Sequence, residues 1–110
     1  YIFLSGVSIY MDDKSLNRLL KNISKYIKPG GLFIHRDAYG TREEYIVNNF
    51  SEALNMDYTA IYRTRDKYDT LIVNNANFIK IYDEDMYEGG DKSPYNKWKE
   101  TRLRLAVYKK

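Results

Sequence analysis

His35, Arg36 and Asp37 stand consecutively in the sequence, and all three residue types do chemistry at protein sites. In an extended segment His35 and Asp37 share a face while Arg36 points the other way. A carboxylate or an imidazole within reach of a reacting group can remove its proton. His35 lies within the segment, where a buried, hydrogen-bonded histidine is expected. Asp37 at its end is the better candidate for a base, the alternative being a salt bridge to Arg36 or Arg42. A second candidate pair is Tyr62 and Arg63, just ahead of a helical pattern. A guanidinium can hold an anionic group bidentately, with helix capping or a surface ion pair as the alternative. Gly6 in the run Ser5-Gly6-Val7 lets a ligand approach the backbone or simply makes a tight turn.

These residues need elements to position them. Tyr1 to Ile9 is mostly apolar and reads as a strand buried on both faces, with a turn near Ser5-Gly6. Asp12 or Asp13 caps a helix whose apolar stripe is Leu16, Leu19, Leu20, Ile23 and Ile27. Pro29 ends it, and Gly30-Gly31 supply the turn. Leu32 to Asp37 is a second strand, parallel to the first because a helix joins them. Tyr45, Ile46, Phe50, Ala53 and Leu54 allow a short helix, and YTAIY at 58–62 is extended. Thr64 caps a further helix carrying Tyr68, Leu71 and Ile72, which ends at Asn74-Asn75-Ala76-Asn77. Phe78 to Tyr82 forms a third strand, Asp83 to Lys97 an acidic, glycine-rich loop, and Thr101 to Tyr108 a fourth strand. Ligands in open α/β sheets sit beyond the carboxyl ends of the strands, which puts Ser5, Gly6 and Val7 at the rim.

Composition narrows the function classes. The chain has 110 residues, 44% of them hydrophobic and 30% charged, the range of a single globular domain. No apolar run approaches the roughly 20 residues of a membrane span, so no membrane partner is expected. Cysteine is absent and histidine occurs once, which argues against a disulfide framework and a structural zinc site and for a cytoplasmic setting. The net charge of +3 is spread along the chain rather than gathered into a stripe, so no nucleic-acid partner is expected. Twelve tyrosines accompany abundant lysine, asparagine and isoleucine, a compositional bias rather than a set of stacking platforms.

The order of the motifs VSIYMDD at 7–13, YIKPGG at 26–31, LFIHRD at 32–37, YRTRDKYDTLIVNNANF at 62–78 and KWKETRLRLAVYKK at 97–110 resembles the C-terminal half of a class I S-adenosylmethionine-dependent methyltransferase. The resemblance implies an α/β fold: a partial Rossmann-like sheet with strands ordered 4-5-7-6, the last antiparallel, and flanking helices. Residues 1–110 would form one partial domain. It further implies methyl transfer from S-adenosylmethionine to an oxygen or nitrogen of a small molecule. Ser5, Gly6 and Val7 would border the cofactor, Tyr10 would face the transferred methyl group or anchor the helix entry, Asp37 would be the base, and Tyr62 and Arg63 would contact substrate. The family's glycine-rich cofactor loop, G-x-G-x-G, occurs nowhere in the chain. The chain alone is therefore expected to be inactive, and to pair with a missing N-terminal half or self-associate through residues 1–9. The rival readings are a non-catalytic α/β binding or assembly module and a different α/β enzyme such as a dehydrogenase.

Overall fold

The computed structural model describes residues 1–74 and 78–110. Strand β1 (Ile2–Ser5) leads through a single 3-10 turn at Ser8–Tyr10 into helix α1 (Asp13–Tyr26). Asp12 caps that helix, its carboxylate accepting the Ser15 backbone N–H at 2.7 Å. The predicted stripe faces inward: Leu16, Leu20, Ile23 and Ile27 are buried and Leu19 packs against them. Past Pro29, Gly30 takes φ +83°, and Gly31 has no room for a side chain, since a Cβ would lie 2.8 Å from Ile27 Cγ2. The turn is stitched to the last residue, with Gly30 N donating to Lys110 O at 2.7 Å and Lys110 N to Gly31 O at 3.0 Å.

Strand β2 (Leu32–Gly40) runs three residues beyond the predicted Asp37. Its alternate residues Phe33, His35, Asp37 and Tyr39 are all buried. The segment after it is the main departure from expectation. In place of a short helix over 45–54, β3 (Tyr45–Ser51) and β4 (Met56–Tyr62) form a separate antiparallel hairpin, in register from Tyr45↔Tyr62 to Ser51↔Met56. Tyr-Ile-Val favours a pleated strand once a partner is available, and YTAIY supplies it. Asn55 turns the hairpin at φ +50°, a conformation asparagine tolerates.

Thr64 caps helix α2 (Arg65–Asn74), accepting the Lys67 N–H on its hydroxyl at 3.2 Å. Tyr68 and Ile72 are buried. The helix reaches Asn74, and the rest of its predicted end, Asn75 to Asn77, lies outside the described residues. Strand β5 (Ile79–Asp85) continues three residues past the predicted Tyr82, and β6 (Thr101–Lys109) closes the chain. The four-stranded sheet has the order β1-β2-β6-β5, with β1 parallel to β2, and β6 antiparallel to both β2 and β5. This is the order expected from the sequence. Phe33 lies at the centre of the core, its ring 5.8 Å from Phe78 and 6.0 Å from Tyr108.

Leu20 is 1% exposed on the helix face that covers this sheet. Leu20→Ala is expected to lower stability by about 2–5 kcal/mol, as truncation of a fully buried leucine does. Urea unfolding measures it, and a loss below about 1 kcal/mol would count against the packing described.

Candidate functional site

The carboxyl ends of β1 and β2 form the rim where α/β sheets receive ligands. Gly6 follows β1 with φ +69°, and nothing lies within 4 Å of the position its Cβ would take. Its N–H donates to Arg36 O at 3.1 Å, continuing the parallel ladder by one residue. Ser5 Oγ accepts from Arg36 Nη1 at 3.2 Å, and Val7 is exposed.

Beneath the rim is a buried polar cluster that sequence reasoning reached only in part. Ser8, at the start of the 3-10 turn, is fully buried. Its N–H donates to Asp37 Oδ2 at 3.0 Å, its hydroxyl donates to the same oxygen, and its Oγ lies 2.9 Å from His35 Nε2. Because the serine proton goes to Asp37, His35 Nε2 carries the proton that completes the contact. Burial first, then the Arg104 and Arg63 charges, push the imidazole pKa down to about 3, so His35 is neutral at pH 7. Its Nδ1 is buried without a hydrogen-bond partner among the described residues.

A serine, a histidine and an aspartate in contact invite comparison with a nucleophilic triad, and the connectivity rules that out. In a triad the histidine takes the serine proton and the aspartate orients the histidine. Here the serine hydroxyl donates its hydrogen bond to the aspartate rather than to the histidine, and Ser8 is fully buried. Asp37, 3% exposed, also accepts the Ala38 N–H at 3.0 Å. Burial raises its pKa against the opposing hydrogen bonds from Ser8 and from the Ala38 and Ile9 backbone. The carboxylate thus ties the turn after β1 to the end of β2. The alternative salt bridge to Arg36 or Arg42 does not appear among its contacts.

Arg63 is placed quite differently from the expected substrate contact. It is fully buried, with Nε donating to Asp13 at 2.7 Å, Nη1 to Ser8 O at 3.0 Å and Nη2 to Met11 O at 2.6 Å. Its forked donors are consumed by the loop that joins β1 to α1, so the bidentate anion reading does not describe it. Gly40 makes this approach possible. Its N–H donates to Arg63 O at 2.8 Å, and a Cβ there would lie 2.1 Å from Glu43 O and 2.8 Å from Tyr62 O.

The remaining candidates meet at the surface beside this cluster. Tyr10 is 59% exposed and packs edge-on against Tyr58 at 6.3 Å between ring centroids. Tyr62 is half-buried and lies 6.2 Å from Tyr45. Burial, and then the neighbouring phenols of Tyr10 and Tyr58 and the Asp37 carboxylate, hold the Tyr62 hydroxyl above its ordinary pKa. Tyr45, Tyr58 and Tyr62 from the hairpin, with Trp98 and Glu100 from the segment before β6, line a groove of about 320 Å³. Of these groove residues the sequence singled out only Tyr62. The tyrosines' separation along the chain hid the grouping, and the one available signal was their number.

No family model matches the sequence, and no curated protein matches it closely. Solved structures do. A methyltransferase from Methanosarcina mazei, described as S-adenosylmethionine-dependent, superimposes with a TM-score of 0.73 at 13% identity, over 98% of this chain and 57% of that one. A Listeria monocytogenes protein described as a putative S-adenosylmethionine-dependent methyltransferase gives 0.69 at 14% identity, over 98% and 60%. A glycopeptide N-methyltransferase in complex with sinefungin gives 0.63 at 16% identity, over 94% and 55%. The chain spans 55–60% of the length of these three proteins. At such identities the likeness is one of fold: the chain has the mixed α/β fold of S-adenosylmethionine-dependent methyltransferases over rather more than half their length, in keeping with their C-terminal part.

Proposed function

We propose that this chain is the C-terminal portion of a methyltransferase that moves the methyl group of S-adenosylmethionine to a nitrogen or oxygen of a small molecule in the cytoplasm. The observation that carries the reading is the superposition on a methyltransferase structure along 98% of the chain, whose own sheet has the order β1-β2-β6-β5 that the resemblance implies. When bound, the cofactor supplies an electrophilic methyl carbon. The residues here fit one side of its site: Gly6 leaves open space at the rim, flanked by Ser5 and Val7, while the glycine-rich loop is absent from the sequence.

Within this reading the chain's own residues position and exclude rather than react. Asp37 and Arg63 hold the turn at Ser8–Tyr10 from both sides, so that Tyr10 is presented to the ligand at a fixed place. Tyr62 and the rest of the hairpin wall off the acceptor. Catalysis of this kind rests on holding two reactants in line. A second reading, an assembly module pairing through residues 1–9, is favoured by the edge position of β1, where Phe3 is 58% exposed. Ile2 and Leu4, by contrast, pack partly against the core. An unpaired strand edge is a template for another chain.

Three measurements test these statements. Calorimetry of the chain with S-adenosylmethionine is expected to show no tight binding, and binding is expected once a segment carrying the glycine-rich turn completes the sheet. Tight one-to-one binding by the chain alone would overturn the assignment of the missing loop, and no binding by the completed sheet would overturn the function. Light scattering is expected to show association that Phe3→Lys weakens; a strictly monomeric parent, unaltered by the substitution, would sink the edge proposal. Arg63→Met should leave the Ser8 and Met11 carbonyls short of a donor, at about 1–3 kcal/mol for each buried group. Amide exchange at Tyr10 and Met11 should then quicken while the β2–β6 ladder stays protected. Unchanged exchange there would mean that Arg63 does not hold the turn.

A further inference from the structure

The groove between the hairpin and the start of β6 has a chemistry of its own. It is lined by the rings of Tyr45, Tyr58, Tyr62 and Trp98 together with Val47, Asn49 and Thr101, and its charged member is Glu100. No lysine or arginine is among the described residues lining it, although the chain carries 18 of them against 15 acidic residues. Arg42 and Lys99 line the adjoining surface around Thr41 and Glu43, which shares Tyr45 and Glu100 with the groove. Trp98 is 67% exposed and Tyr45 42%. Rings this open are not core residues. Tyr10–Tyr58 and Tyr45–Tyr62 meet edge-on or tilted rather than stacked face to face.

We propose that this groove binds an organic ammonium group, a protonated or quaternary amine, between the aromatic faces and the Glu100 carboxylate. An aromatic face carries a negative quadrupole and attracts a cation within about 6 Å of the ring centroid. An anion entering the same groove would meet the Glu100 carboxylate and only neutral donors among the described lining residues, from Asn49, Thr101, the tyrosines and Trp98. The volume of about 320 Å³ suits a small ligand or one end of a larger one. The proposal deepens the methyltransferase reading and rests on it for the ammonium belonging to the methyl acceptor. Binding of the cation itself needs no cofactor, so the two can fail separately.

The test uses the full chain, with its single tryptophan, Trp98, as the fluorescent reporter and choline as the probe. Its uncharged isostere 3,3-dimethyl-1-butanol is the comparison. Saturable binding of choline is expected, with the isostere roughly three- to thirtyfold weaker, the range that cation–π contacts span. Tyr58→Leu should lose most of that preference, Tyr58→Phe should keep it because the ring face remains, and Glu100→Gln should weaken choline alone. Equal binding of the two probes, no saturable response to choline, or a Tyr58→Phe chain as impaired as Tyr58→Leu would each overturn the proposal. None of these outcomes bears on S-adenosylmethionine binding, which calorimetry reads independently.

Discussion

A buried guanidinium must have its charge and all its donors answered within the protein, because stripping it of water costs several kcal/mol. Arg63 meets that demand by drawing three parts of the chain to itself: Asp13 at the start of α1, and the carbonyls of Ser8 and Met11 in the loop before it. Arg63 follows β4 directly, so the same contacts anchor the hairpin beside the rim of the sheet. Ser8 passes the constraint on. Its carbonyl is held by Arg63 while its N–H and hydroxyl are held by Asp37 of β2. The turn that presents Tyr10 is therefore fixed from two directions by groups that never reach solvent.

A second polar network does similar work on the neighbouring strands, centred on Arg104, which stands opposite Asp37 in the β2–β6 register. Arg104 of β6 donates to Asp83 of β5 at 2.6 Å and to Asp69 of α2 at 2.8 Å, and Tyr108 donates to Asp69 at 2.6 Å. Burial alone would raise both carboxyls, but the hydrogen bonds from Lys80, Tyr108 and Arg104 to Asp69, and from Arg104 and Lys80 to Asp83, outweigh it and hold both below the usual range. The network joins β5, β6 and α2. Strand β6 lies between β2 and β5 and is antiparallel to both, so whatever fixes β6 fixes the sheet.

Beside the two polar networks stands the hairpin. It pairs with itself rather than with the main sheet, and its outward rings are the walls of the groove. A surface built on a self-contained hairpin can change its side chains without disturbing the core around Phe33. That is the division between a rigid scaffold and a more variable surface element.

The sequence by itself determined the elements whose signals are local. Helix α1 was legible from Asp12 as its cap, the 16-19-20-23-27 stripe, and Pro29 ahead of two glycines, because capping and helical periodicity act within a few residues. Helix α2 and the strands at 32–37, 78–82 and 101–108 followed in the same way, and motif order then gave their arrangement in the sheet. The tertiary structure decided the rest. Residues 45–54 carry apolar spacing compatible with a helix, and only the pairing of residues 45–51 with residues 56–62 settles them as a strand and the turn that follows it. Arg63 and Ser8 carry no local mark of burial; their roles exist only because the chain brings positions 8, 37 and 63 together. The same holds for Tyr10, Tyr45, Tyr58, Tyr62 and Trp98, whose grouping depends on contacts between residues dozens of positions apart. Local pattern encodes how a segment can fold, whereas a site made of distant residues is created by the packing that closes the loops between them.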